Sequence, residues 1–210
     1  AAVNRLGNTL DATNLQIFSQ ISGGQSALSG GLYVDPKYAD DPKSLDGSAG
    51  FMYQEGTVTY YYASKCIEYL GLDESKQNLI NTDSSQTRLA LIQKDGASAV
   101  YANGSEAKYI EEAGWVQVAT SQEIGIQTGS YFLSTDKYIS ENTDTLAKFL
   151  QAVDESTQYI NDHLDESAEY LADKLGLKAE DFKENWKNYS FEPGFSEEAT
   201  THLEDIEKWG

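Results

Sequence analysis

Between residues 48 and 120, short apolar runs alternate with helical stretches of about ten residues, and this alternation limits the fold more than any other feature. Residues 48–53, 78–82, 98–102 and 115–120 read as strands, and 58–70, 86–94 and 105–113 as the helices between them. Gly71 and Gly114 stand just past two of those helices, where a closing residue takes a positive φ. Strands joined by helices in this way predict a parallel sheet covered on both faces. Two further strands are expected over 15–21 and 27–34, on either side of the small polar loop Ser22-Gly23-Gly24-Gln25-Ser26, and one more over 131–134. Helices are expected over 2–13, 145–163, 166–175, 179–188 and 197–209. Leu146, Phe149, Leu150, Val153, Tyr159, Ile160 and Leu164 keep helical spacing, so that helix is expected to lie against a core.

Charge removes several classes of function. Thirty-four acidic against 15 basic residues give a net charge of −19, which opposes binding to nucleic acid or to an anionic membrane surface. The one cysteine, Cys66, sits in a helical stretch and reads as a packing residue, and it leaves no partner for a disulfide or a cysteine-based zinc site. His163 and His202 lie among Asp and Glu at helical positions; for Asp162, His163 and Asp165 a solvated acidic face is expected and a metal site is not. No catalytic motif of the common hydrolases or phosphate loops is present. Asn103-Gly104-Ser105 matches a glycosylation sequon and is read as a coincidence.

In an open parallel sheet, ligands gather where strands end and helix N-termini present free N–H groups. The loops 54–57, 83–85 and 101–104 meet that description. Gln54, Gly56 and Thr57 form one candidate group: Gly56 admits close backbone approach and the Thr57 hydroxyl can hold an oxyanion or a ring heteroatom. The alternative for Gly56 and Thr57 is that they only start and cap a helix. Tyr101 and Asn103 form a second group, able to stack on a flat ligand and to donate and accept; a strand-end tyrosine packed on its neighbours is the other reading. Of Tyr60, Tyr61 and Tyr62, which cannot all face one way, only Tyr60 is offered to a ligand. Fourteen tyrosines suit a planar solute, and the arginines, Arg5 and Arg88, are too few and too badly placed to favour a sulfonate.

Several runs carry a resemblance. Lys43-Ser44-Leu45-Asp46-Gly47-Ser48-Ala49-Gly50-Phe51 is similar to the segment that opens the second lobe of type II periplasmic binding proteins, and Glu55-Gly56-Thr57 follows at the matching distance. The run from Leu89 to Tyr101 resembles another of that group's segments, with Ser98 where Asp is usual. Phe149 to Ala152, Tyr159 to Asn161 and Glu166 to Gly176 resemble its helical return. Among the subfamilies the SsuA/THI5-like (NMT1-like) group fits best.

The resemblance implies a bilobal α/β fold of parallel-rich sheets flanked by helices, with lobe I over 1–45 and 128–210 and lobe II over 46–127. Hinges are expected at 40–45 and 123–129. Members of the group run about half as long again, so lobe I is expected to be incomplete here, the chain entering it at its third helix. The implied function is an extracytoplasmic (periplasmic or cell-surface) solute-binding protein of an ABC importer, acting by lobe closure. It needs no cofactor and no metal. Its partners are a small-molecule ligand and the transporter permease; it works as a monomer and meets the membrane only through a lost lipid anchor. The ligands implied are a thiamine-pyrimidine precursor, a flavin, or a sulfonate- or nitrate-type anion. Ser22 and Gly23, with Gly24 and Gln25, would then face the cleft from lobe I. The rival readings are an enzyme on the same fold, of thiamine-pyrimidine or menaquinone pathway type, and a ligand-sensing domain.

Overall fold

The computed structural model describes residues 14–23, 30–45, 47, 49–127, 129–176, 178–187, 190, 191 and 193–209. The expected helix over 2–13, with Gly24, Gln25 and Ser48, lies outside them. The chain divides into two compact units: the described residues of the first fall within Leu28–Gln127 together with Trp209, and those of the second within Ala2–Ala27 and Thr128–Lys208. The described part of the first unit's main segment ends at Gln127. Residues 30–45 belong with the first unit, so the segment 40–45 is internal to it.

The first unit is a five-stranded sheet in the order β4-β3-β5-β2-β6, formed by β2 (Gly31–Val34), β3 (Gly50–Tyr53), β4 (Asn78–Asn81), β5 (Ala99–Ala102) and β6 (Val116–Thr120). β3 pairs in parallel with β4 and β5, as the alternating pattern predicts. β2 departs from it, running antiparallel to both β5 and β6, so the sheet is mixed. A short apolar run such as Leu32-Tyr33-Val34 signals a strand but carries no sign of direction.

Helices cover both faces. On one, α1 (Thr59–Tyr69) buries Tyr61, Tyr62, Cys66 and Ile67, with Tyr62 packed on Tyr101 at 4.5 Å. On the other, α2 (Ser85–Gln93) and α3 (Gly104–Glu112) supply Ile92, Ala107 and Ile110 to a cluster with Tyr33, Met52, Val100 and Trp115. Period-2 alternation explains the division: Tyr33 and Val100 are paired neighbours on one face, Leu32 and Tyr101 on the other. Cys66 is fully buried, and burial pushes its thiol far above the usual range, as a packing residue requires. A short helix, α4 (Ser121–Ile124), follows β6 on a capping box in which Thr120 and Glu123 satisfy each other's backbone N–H.

The second unit pairs β1 (Leu15–Ser22) antiparallel with β7 (Ser130–Thr135). The strands over 15–21 and 27–34, expected together in one lobe, thus lie in different sheets. After β7 come α5 (Asp136–Glu141), α6 (Thr143–Asp162), α7 (Leu164–Leu175), α8 (Ala179–Trp186) and α9 (Glu197–Trp209). Ser19, fully buried, accepts the Gly194 N–H at 2.8 Å and ties the segment before α9 to β1. Ser196 caps α9 by accepting the Ala199 N–H at 3.1 Å. The apolar stripe of α6 is where the sequence expected it, yet no residue of this helix is buried, and Phe149 remains 43% exposed. The expectation that α6 lies against a core is corrected in degree: Leu146, Leu150, Val153 and Ile160 are half-buried, and Phe149 meets the edge of Phe132 at 5.0 Å.

His163 is exposed, as expected, with its ring tilted against Tyr159 at 4.5 Å, whereas His202 is 5% exposed on the inner face of α9, beside Ala199 and Ile206. Burial lowers its pKa from 6.5 to about 4, with the Asp205 charge acting weakly in the opposite direction. The unfolded chain therefore binds a proton at this site that the folded chain refuses. Stability from this group is complete above pH 6.5 and is lost as pH falls through the interval down to 4. Between pH 7.5 and 5.0 the loss is about 2 kcal/mol. Melting His202→Gln beside the parent at both pH values is the check: the parent loses stability on acidification by about that much more.

Candidate functional site

The three parallel strands all end at one edge of the first unit's sheet. β3 stops at Tyr53, β4 at Asn81 and β5 at Ala102, and α1, α2 and α3 begin immediately after. Because β2 is antiparallel, its amino end joins them: Gly31 is in register with Ala102 on one side and Thr120 on the other. The Gly30 carbonyl accepts the Ser121 N–H at 3.0 Å and the Gln117 side-chain amide at 3.1 Å, drawing the β6 end into the same edge.

The 54–58 loop is tightly self-bonded. The Gln54 N–H donates to Thr59 Oγ1 at 2.7 Å, and the Gln54 carbonyl accepts the Thr57 hydroxyl at 2.7 Å and the Thr57 N–H at 3.3 Å. Gly56 sits at φ +71° with open space where a Cβ would lie. Asn81 couples this loop to the next: its Oδ1 accepts the Glu55 N–H at 2.9 Å and its Nδ2 donates to Glu55 Oε2 at 3.1 Å. Gln54 Nε2 adds a bond to the Asp83 carbonyl at 3.3 Å. The Thr87 and Ser84 hydroxyls donate to the Asp83 carboxylate and hold its pKa below the ordinary range. Ser84 is also the N-cap of α2.

Six of the eight expected site residues, Gln54, Gly56, Thr57, Tyr60, Tyr101 and Asn103, lie at this edge or in the first turn beyond it. Thr57 is engaged within its own loop, while the N-cap of α1 is Val58, with no side-chain cap bond. Tyr60 is half-buried between the Tyr53 and Trp209 rings, at 5.1 and 5.2 Å, and donates its hydroxyl to Glu74 Oε1 at 3.1 Å.

Tyr101 is a correction. It is 5% exposed, its ring lies on Tyr62, and its hydroxyl bonds Ser121 Oγ at 2.9 Å; burial pushes the phenol up to about 12. Its ring belongs to the core and offers no face for stacking. Asn103 hydrogen-bonds Tyr101 and leaves the N-cap of α3 without a side-chain bond. Ser22 and Gly23 lie in the second unit, paired with Ser130 and Ser190; Gly24 and Gln25 fall outside the described residues. The sequence reading placed Glu55 and Asp83 in its candidate loops without giving them a role, and did not name Asn81. The signal for Asn81 was present, a polar residue closing the apolar pair Leu79-Ile80 just where a strand must end.

A mixed α/β sheet with its strand ends gathered under helix N-termini is the architecture of the periplasmic binding proteins, and solved structures agree. The aliphatic sulphonate binding protein SsuA of Escherichia coli matches with a TM-score of 0.75 at 15% identity, over 95% of this chain and 68% of that one. The alkanesulfonate-binding protein SsuA of Xanthomonas axonopodis pv. citri matches with 0.72 at 14% identity, over 98% and 71%. The desulfurization enzyme DszB shares the fold, with 0.65 at 12% identity over 97% and 74%. No curated protein matches the chain in sequence. The family model described as NMT1/THI5 like matches residues 10–167, and the chain belongs to that family.

Proposed function

We propose that this chain is an extracytoplasmic solute-binding protein that captures a small polar molecule and hands it to an ABC permease. The observation that carries the reading is the convergence of the 54–58, 82–84 and 103 loops at one sheet edge, with Gly56 open to close approach. Membership of the NMT1/THI5-like family supports it. The ligand we favour is a neutral, planar heterocycle. Those three loops contain no lysine or arginine, Arg88 is engaged by Glu106, and Glu55 and Asp83 add negative charge that opposes a sulfonate or nitrate.

The second reading, an enzyme on this fold, is favoured by the likeness to DszB. Against nucleophilic catalysis by its one cysteine stands the full burial of Cys66, whose thiol stays protonated.

The test is native mass spectrometry of gently purified protein, followed by thermal shift with a 4-aminopyrimidine, riboflavin, ethanesulfonate and nitrate. A ligand present at a hundred times its Kd stabilises by about 2.7 kcal/mol, which a melting curve resolves. A co-purified heterocycle, or a shift with one of the first two probes, supports the proposal. A shift with the anions alone overturns the ligand assignment, and an empty protein that ignores all four overturns solute binding itself.

A further inference from the structure

Taking the solute-binding reading as its basis, we infer that Arg88 is a positioning residue for the 54–57 loop, acting through Thr82 on the last carbonyl of β3. Arg88 is 4% exposed although it carries a charge. Its Nη1 donates to Glu106 Oε1 at 2.7 Å and its Nε to Thr82 Oγ1 at 2.9 Å. Thr82, 1% exposed, donates both its hydroxyl and its backbone N–H to the Tyr53 carbonyl, each at 2.7 Å. Tyr53 is the residue before Gln54, where the candidate loop begins.

The direction of this chain of bonds is set by chemistry. A guanidinium only donates, so the Thr82 oxygen must accept from it, and the single hydroxyl proton is left to point at Tyr53. Glu106, in the first turn of α3, balances the buried charge and anchors the far end. The first turn of α3, the body of α2, the end of β4 and the end of β3 are thereby locked together beneath the loop. The loop root is set before any ligand arrives, which reduces the ordering cost of binding. Arg88, which its place within a helix already set aside as an anion receptor, acts from underneath the site.

The experiment compares Thr82→Val, which keeps the shape and removes the hydroxyl, with Thr82→Ser, which restores it. Amide hydrogen exchange is followed at Gln54, Glu55 and Thr57, with sheet amides at Leu32 and Val100 as internal references. Thr82→Val is expected to speed exchange of the loop amides about tenfold relative to the references, an opening made easier by about 1.4 kcal/mol, while Thr82→Ser exchanges as the parent does. Unchanged loop amides in Thr82→Val, or an equal acceleration at the references, would overturn the inference. Binding of the 4-aminopyrimidine probe forms the second arm, with affinity expected to fall about tenfold in Thr82→Val and to return in Thr82→Ser. A parent protein that binds no probe overturns the solute-binding reading and leaves the exchange data to decide the positioning role.

Discussion

Replacing Glu106 by alanine is expected to cost the protein about 3 kcal/mol, the lower end of what breaking a buried ion pair removes. The loss comes less from the attraction given up than from what stays behind. Arg88 cannot shed its proton, is 4% exposed, and would keep Thr82 as its remaining hydrogen-bond partner described here. Glu106 is 23% exposed at its side chain, so solvent screens part of the pair, which is why the figure sits at the low end. The mechanism has a second signature. Removing both charges together, as in Arg88→Met with Glu106→Leu, is expected to recover most of the loss, because two desolvated charges are then replaced by apolar volume. Urea denaturation of the parent, the single variant and the double variant measures both effects. A double variant no more stable than Glu106→Ala would show that the pair itself, and not the stranded charge, carries the energy.

Gly31→Ala is expected to be about as damaging, for a steric reason. A Cβ there would lie 2.0 Å from the Ala119 carbonyl oxygen and 2.6 Å from the Gln117 side-chain nitrogen. The first is backbone of the paired strand β6, so no rotamer change relieves it, and β2 lies between β5 and β6 with no free side on which to retreat. Forcing a methyl into such a contact costs about 3 kcal/mol. Gly56→Ala supplies the contrast: it has open space and only its φ of +71° to strain, so about 1 kcal/mol is expected. Thermal melts of the two variants should differ in that order, and equal losses would mean that β6 peels away readily.

The helices of the first unit were legible because apolar spacing and the closing glycines agree, and Gly71 and Gly114 both adopt the positive φ expected. The antiparallel run of β2 was not, since strand propensity has no polarity. For Tyr101 both readings stayed open because every residue of Ala99–Ala102 is buried, and a strand covered on both faces gives no alternation from which to choose a side. Two misses had readable signals. Thr120-Ser121-Gln122-Glu123 is a capping box that announces α4, and Ala199, His202 and Ile206 share one helical face, which places the histidine inward. The reach of Arg88 to Glu106 and Thr82 depends on how α2 and α3 pack, and no local pattern records it.

The half-covered stripe of α6 has a consequence for how the molecule comes apart. A helix of twenty residues with no fully buried side chain draws less of its stability from packing than a core helix does. Its opening should expose little new surface, and therefore respond weakly to denaturant, while the rest of the second unit stays closed. Local fraying of this kind sets where a protease first finds a cleavable bond, well before the folded population as a whole begins to fall.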